Sequence, residues 1–435
     1  MKISILSVFP QIYDNFLETS LVRKAKERGL VDYDLDSFKS FVKPKERIDA
    51  PTFGPGAGMV IKADVVQKAI DAKQEKFGLA CKIFFSPQGK KLDQGLLETI
   101  YESAQKTGHL MLLPARYEGM DARVQEYYAD QVVSIGDFVL MGGDLPAMVL
   151  LEGLLRLIPG VIGKAESVQE ESFSGPFLDY PSYAEPVVWK GREVPPVLRS
   201  GNHKNIDQWR AEQAAKKTVL THFDWLRSKT MTKDQMNLAK TYIPNHYAAL
   251  MHTEVFVNKE HRVGETSVTS LDIHDIARSS KTFGLKNYLI VTPLVDQQKI
   301  VQKMLNFWHG DVGKEYNMSR SESIKSVKVV PRLDDVIDLI EKQEGKKPII
   351  ITTSAKYWSR GKNITFYDQE YIWKQKRPVL LIFGTAQGLS DAIMERADCN
   401  LVPIEGFSDY NHLSVRSAAA IVFDRWLGIN VKKVT

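Results

Sequence analysis

Short β-rich runs alternate with helical stretches along most of the chain, and this alternation constrains the fold more than any other feature. KISILSV at 2–8 precedes a helical pattern reaching about residue 28. CKIFFS at 81–86 precedes another over about 92–106, and HLMLLPA at 109–115 leads through a polar helix to DQVVS at 130–134. The pattern resumes with TEVFV (253–257), NYLIV (287–291), VKVVP (327–331), PIIIT (348–352), PVLLIF (378–383) and NLVPI (400–404), and closes with a small-residue-rich helix over about 413–427. Strands separated by helices pair in parallel, because a crossover that returns to the same edge needs a dozen or more residues. Two parallel α/β sheets are expected. At about 150 residues per domain, a chain of 435 has room for a third element.

That element lies between them. An apolar helix over 147–157 is closed by Pro159-Gly160, and residues 161–183 then turn to Gly, Ser, Glu, Gln and Pro without periodicity. Connections of that length inside compact proteins are usually functional. Three helical patterns follow, over about 204–218, 219–229 and 233–248. The expected division is 1–160, a linker at 161–183, a small helical domain at 184–250 and a second α/β domain at 251–435. Net charge is only +5, yet residues 201–250 carry eight Lys/Arg against four Asp/Glu, nearly the whole excess. A localised basic helical segment suits a phosphate backbone as well as it suits a solvated face.

Composition excludes other classes. The chain is 43% apolar and 26% charged, which is neither disordered nor fibrous. No apolar run reaches the 18 or so residues of a membrane span, since 139–151 is broken by Gly142, Gly143, Asp144 and Pro146. MKISILSVFPQ fits a first strand and not a signal peptide. Cys81 and Cys399 are too far apart for a metal motif, and a reducing cytoplasm suits them. The histidines show no ligand spacing, so no metal site is expected.

The segment 53–59 has glycines at 54, 56 and 58, as in a nucleotide loop. It follows Pro51 and contains Pro55, which a central strand would not allow, so a flexible glycine loop near a ligand is the better reading. Three loops that follow strands are more informative: 86–89 (SPQG), 115–121 (ARYEGMD) and 134–146 (SIGDFVLMGGDLP). Loops at the carboxyl ends of parallel strands are where α/β folds bind ligands. Here Tyr117 and Phe138 can pack on an aromatic ring. Physics alone names no ligand.

The residues do carry a resemblance. SPQG-KKLDQ, RYEGMD, SIGDFVLMGGDLPAM, IPGVIG and VPPVLRSGNH, in this order over about 1–245, resemble the bacterial tRNA (guanine-N1)-methyltransferase family. The resemblance implies a SPOUT-class fold with a deep trefoil knot, S-adenosylmethionine as donor, and a homodimer with shared active sites. The implied target is N1 of the guanosine immediately 3′ of the anticodon, position 37. By the same resemblance the donor is held by Pro87, Gln88, Tyr117, Glu118, Ile135, Gly136, Phe138, Leu140, Gly142, Gly143 and Pro146. Ala115 departs from the family's frequent glycine: its methyl crowds the ligand, or the backbone there avoids positive φ.

N1 of guanine carries a proton at neutral pH and is no nucleophile until that proton leaves. A general base is required, and charge developing on O6 needs a donor or cation. The family places its base in a linker motif like E-D-S-F; here the linker has Glu170-Glu171-Ser172-Phe173, which puts Glu171 at the aspartate position. The family's arginine maps to Arg156. His203, Lys204 and Arg210 are candidate RNA contacts, and Trp209 is equally a core residue. Family activity usually depends on Mg²⁺, although no carboxylate cluster here forms a cage for it.

The second half resembles a further SPOUT domain, close to a bacterial family of unassigned RNA substrate. Its implied donor residues are Phe383, Gly384, Thr385, Val402, Ile404, Asn411, Leu413 and Ser414. Ribose-methylating relatives have Asn and Arg in a first motif, where only Arg278 corresponds, and often a glutamate in the second, where Gln387 stands. A silent RNA-binding or dimerising module is the alternative for this half.

Overall fold

The computed structural model describes residues 1–54, 58–162 and 171–429. They divide into two compact units, Met1–Gly175 and Pro176–Thr435. Each is built on a parallel sheet, as the alternation requires. Among the described residues no helix is long and apolar enough to cross a membrane.

In the first unit the sheet order is Asp32–Ser37, Lys2–Ser7, His109–Leu113, Cys81–Lys91, Gln131–Ser134, all parallel. Its two faces are covered by separate clusters. Ile3, Ile5, Ile83 and Leu112 pack with Leu150, Leu151 and Leu154 of the helix Asp144–Leu155. Leu6, Phe84, Met111 and Leu113 pack with Val65, Val66 and Ile70 of the helix Ala63–Phe77. Apolar residues at adjacent positions of one strand thus serve opposite faces, the period of two that a doubly covered strand shows.

Two expectations need correction here, and a third gains its setting. The strand Cys81–Lys91 does not stop at Ser86: its pairing with Gln131–Ser134 breaks after Phe85 and resumes at Lys90, so 86–89 bow out from a strand that continues. The apolar helix starts at Asp144 and not after Pro146, because a proline in the first turn sacrifices only an amide with no intrahelical partner. The glycine segment turns an antiparallel hairpin, Asp49–Pro51 with Met59–Ile61, whose residues 55–57 lie outside the described ones.

The second unit has a seven-stranded parallel sheet: Val327–Val330, Asn287–Val291, His246–Met251, Val379–Gly384, Ile349–Thr353, Cys399–Leu401, Asn363–Ile364. The helical pattern expected over 233–248 ends at Lys240, and HYAALM is instead a wholly buried central strand. The strand expected at 253–257 shrinks to Val255–Phe256, paired antiparallel with Val263–Gly264. NLVPI contributes Cys399–Leu401 and stops short of Pro403.

The helices His203–Thr221, Phe223–Leu226 and Lys233–Lys240 belong to this unit's core. Val219, Phe223, Leu226 and Ala239 pack in one cluster with Ile372, Trp373, Phe423 and Trp426. The Phe223 and Trp373 rings meet edge to face at 4.6 Å. Arg227, 7% exposed, donates from Nη1 and Nη2 to the carbonyls of Arg425 and Asp424 at 2.7 Å each. It thereby satisfies carbonyls that end the helix Val415–Leu427, where a cation also complements the helix dipole.

Candidate active site

The three loops of the first unit converge. Residues drawn from all three, within 86–88, 115–122 and 133–146, line a single cavity of about 340 Å³, within the range of small-molecule sites. Pro87, Gln88, Tyr117, Glu118, Ile135, Gly136, Phe138, Leu140, Gly142, Gly143 and Pro146 all line it, as does Ala115.

Local chemistry explains why. Ser134 Oγ donates to the Gly136 carbonyl at 3.0 Å and bends the chain as it leaves its strand. Gly136 has φ +156°, and a Cβ there would lie 2.5 Å from the Phe138 ring, so only glycine lets that ring fold back. Tyr117 takes a left-handed φ of +59°, a conformation costly for a bulky side chain and concentrated at binding sites. Ala115 is not among the residues with positive φ, so its departure from glycine costs no backbone strain. The glycine hairpin docks on this loop: Glu118 N donates to Met59 O at 2.9 Å, and a Cβ on Gly58 would collide with the Glu118 side chain.

Asp144 holds the second and third loops together. Its carboxylate, 1% exposed, accepts from Arg116 Nε at 2.7 Å, Ser7 Oγ at 2.6 Å and Tyr13 Oη at 3.2 Å. Gly143 N donates to Ala115 O at 2.7 Å, and Arg116 bridges antiparallel to Gly142. Burial first, and the Asp144 charge second, push the Tyr13 phenol far above its ordinary range. Sequence reasoning missed this pair. Arg116 and Asp144 both stand in quoted motifs, but nothing along the chain shows that they meet.

Arg156 and Glu171 do meet. Arg156, the residue after the helix Asp144–Leu155, pairs through Nη2 with Glu171 Oε1. Neither lines the cavity. The helix between them and the loop at 142–144 has twelve residues, about 18 Å at 1.5 Å each. Glu170 lies outside the described residues.

The second unit's candidates are more scattered. The Phe383 ring is 2% exposed and packs edge to face on Phe423, so it is core. Gly384 closes tightly on the next turn, where a Cβ would lie 2.7 Å from Leu389 N. Thr385 Oγ1 donates to Met251 O at 2.9 Å and sits 2.7 Å from Thr266 Oγ1, itself 2.9 Å from His252 Nδ1. Val402 and Ile404 pack on the core, Asn411 Nδ2 donates to Ala355 O at 2.9 Å, and Leu413 is exposed. Ser414 caps the helix Val415–Leu427 and shares an open polar cleft of about 530 Å³ with Arg278 and Arg416.

Of the RNA candidates, His203 and Lys204 open the helix His203–Thr221 and are exposed. Arg210 lies 4.8 Å over the Tyr180 ring and 3.7 Å from Asp207. Among the described residues no three His, Cys, Asp or Glu side chains gather as a metal site.

Comparison with known proteins now decides the family. Residues 1–228 match the model described as tRNA (Guanine-1)-methyltransferase TrmD. Curated proteins named tRNA (guanine-N(1)-)-methyltransferase from Oleidesulfovibrio alaskensis and Nitratidesulfovibrio vulgaris are each 38% identical, over 98% of this chain and 99% of their own. The chain belongs to the tRNA (guanine-N1)-methyltransferase family. A relative of that name from Carboxydothermus hydrogenoformans, 40% identical, matches 54% of this chain and 91% of its own length. Residues 245–428 match a second model, described as SAM-dependent RNA methyltransferase. The two long relatives align across both matched regions, whereas the relative from Carboxydothermus hydrogenoformans covers only about half of the chain.

Proposed function

We propose that the first unit transfers a methyl group from S-adenosylmethionine to N1 of the guanosine immediately 3′ of the tRNA anticodon, and that the second unit holds another donor-dependent RNA methyltransferase. For the first unit the reading rests above all on one observation: its eleven candidate donor residues all line one cavity, while the base and the arginine form a pair elsewhere on the same unit. We assign residues 1–160 to one SPOUT domain with a trefoil knot, 161–183 to an active-site linker and the helices that follow to a tRNA-docking module; a second SPOUT domain, with its own knot, begins at the central strand His246–Met251 and not at 251.

The cavity fits the donor. Its loops offer backbone groups at glycine positions to an adenosine, and the Tyr117 and Phe138 rings border it. When bound, the donor supplies an electrophilic methyl group on its sulfonium. Glu171 takes the N1 proton, and the Arg156 guanidinium holds the negative charge that develops on O6. Reacting atoms must approach to about 3–3.5 Å. In one copy Arg156 stands ten residues, about 15 Å, along the helix from Pro146, the cavity's last lining residue. A homodimer removes the difficulty, because the partner's pair can reach this copy's cavity. No carboxylate cluster among the described residues suggests where Mg²⁺ would sit, and no step here runs through it.

Two measurements test this. Nucleosides from tRNA incubated with full chain and donor should contain N1-methylguanosine, and its absence from a tRNA with guanosine at position 37 refutes the reading. Mixing Glu171→Gln chains with Gly143→Ala chains should restore part of the activity that each lacks alone. No restoration after subunit exchange refutes the shared site.

A further inference from the structure

Three neighbouring strands of the second unit end level with one another. Thr353 pairs with Leu401, and Leu401 with Ile364, all in parallel. The segments that follow therefore leave the same edge of the sheet, and each carries an exposed ring. Tyr357 follows the first strand at 65% exposure, Phe407 and Tyr410 follow the second at 116% and 75%, and Tyr367 follows the third at 74%. Asn411 Nδ2, donating to Ala355 O at 2.9 Å, ties the first segment to the second. Tyr410 meets only the neighbouring His412 ring, edge to face at 5.3 Å, and all four rings stay largely exposed, whereas aromatic side chains normally bury most of their surface.

We propose that Tyr357, Phe407 and their neighbours form a stacking platform for unpaired RNA nucleotides beside the second donor site. The inference rests on the reading of this unit as an RNA methyltransferase and names what its acceptor must look like. Val402, Ile404, Asn411 and Leu413, the candidate donor residues, lie on the same segment as Phe407 and Tyr410. A nucleotide stacked there borders the donor. Parallel strands lie about 4.8 Å apart, so three of them spread the rings over about 10 Å, enough for two or three bases at about 3.4 Å. Residues 354–362 carry Lys356, Arg360 and Lys362 and no acid. Arg360 is engaged by Asp391 and Glu395 at 3.3 and 3.4 Å, and Lys362 lies 3.5 Å over Tyr371, which leaves the exposed Lys356 for a phosphate. Exposed rings next to a cation select single strands, since a paired base hides its π-face inside the helix.

The test uses the full chain and a fluorescent single-stranded RNA of about ten mixed nucleotides, within the site size of a stacking groove. Tyr357→Ala and Phe407→Ala should each weaken binding at least about fivefold, the lower limit for losing one base–aromatic stack. The same RNA annealed to its complement should bind with no dependence on either ring. Phe407→Trp should keep or raise the affinity, which separates stacking from folding. Single-strand affinity within twofold of the unsubstituted chain in both alanine variants overturns the proposal. So does a halved mass in sedimentation, which would make the rings a contact between copies. Donor titration of the unsubstituted chain reports separately on the underlying reading. One donor per chain removes the second donor site, while the RNA affinities still decide the platform.

Discussion

Arg156 and Glu171 pair side chain to side chain across fifteen residues, from the end of one helix into the linker, and both stay partly open to solvent. An acceptor guanine can therefore displace the contact without unfolding anything, putting N1–H at the carboxylate and O6 at the guanidinium. Glu171→Gln should slow methyl transfer by about 10²–10⁴-fold, as loss of a general base does, with donor affinity nearly intact. Glu171→Asp should keep substantial activity. Single-turnover rates check this, and a loss under about threefold would move the base elsewhere.

Arg156→Lys keeps the charge but loses the planar fork that can serve O6 and the carboxylate together. The expected result is a fall in kcat of at least about tenfold with little change in KM for tRNA, the signature of an interaction made only in the transition state.

Asp144 gathers three donors at a site almost closed to water, and the loops at 115–121 and 134–146 depend on it. Asp144→Ala leaves Arg116 without its buried partner and should cost about 3–5 kcal/mol of stability. Asp144→Asn should fold better yet bind the donor more weakly, because one acceptor oxygen becomes a donor facing other donors. Denaturant titration and donor calorimetry separate the two effects.

Much of this was legible along the chain, and what was not has physical causes. Asn287–Val291 lies where its apolar run put it, because a short β-branched segment between helical patterns has one stable use. HYAALM misled because alanine and leucine favour helix, and only its two parallel neighbours make it a strand. Asp32–Ser37 escaped notice as an acidic edge strand whose charges meet Lys2 and Lys73 across the fold. Glycines and strand ends revealed the cavity loops. The partnership of Arg156 with Glu171 came from family resemblance, and their distance from the cavity came only from the helix between.

The helices at 203–240 share a core with the second sheet, so their stability should depend on Arg227. Its two charge-assisted hydrogen bonds to helix-end carbonyls are each worth about 1.5–3 kcal/mol. Arg227→Ala should destabilise the second unit by roughly 3 kcal/mol, whereas Arg227→Lys recovers only part because it cannot hold both carbonyls. The tRNA KM for N1-methylguanosine formation should rise in parallel if the helices dock tRNA. An unchanged unfolding midpoint in Arg227→Ala refutes the dependence.

His246 makes the second unit sensitive to acid. Its Nδ1 lies 2.7 Å from the Pro244 carbonyl, which can only accept, so Nδ1 carries the hydrogen. Nε2 then accepts from the indole N–H groups of Trp373 at 3.3 Å and Trp426 at 3.0 Å. A proton on Nε2 would face two donors in a buried site, and burial pushes the imidazole pKa down to about 4 from an ordinary 6.5. The unfolded chain thus binds the proton that the folded one refuses between those values. Stability is full above about pH 6.5 and falls as pH drops towards 4, by about 3 kcal/mol in all at 1.36 kcal/mol per pKa unit. His252, also held near 4 by burial, adds a loss of the same sign. Urea unfolding followed by tryptophan fluorescence at about pH 7.5 and about pH 5 should show the loss. His246→Phe should be less stable at neutral pH, because two indoles lose their acceptor, yet flatter with pH. If it keeps the slope of the unsubstituted chain, His246 is not the group that titrates.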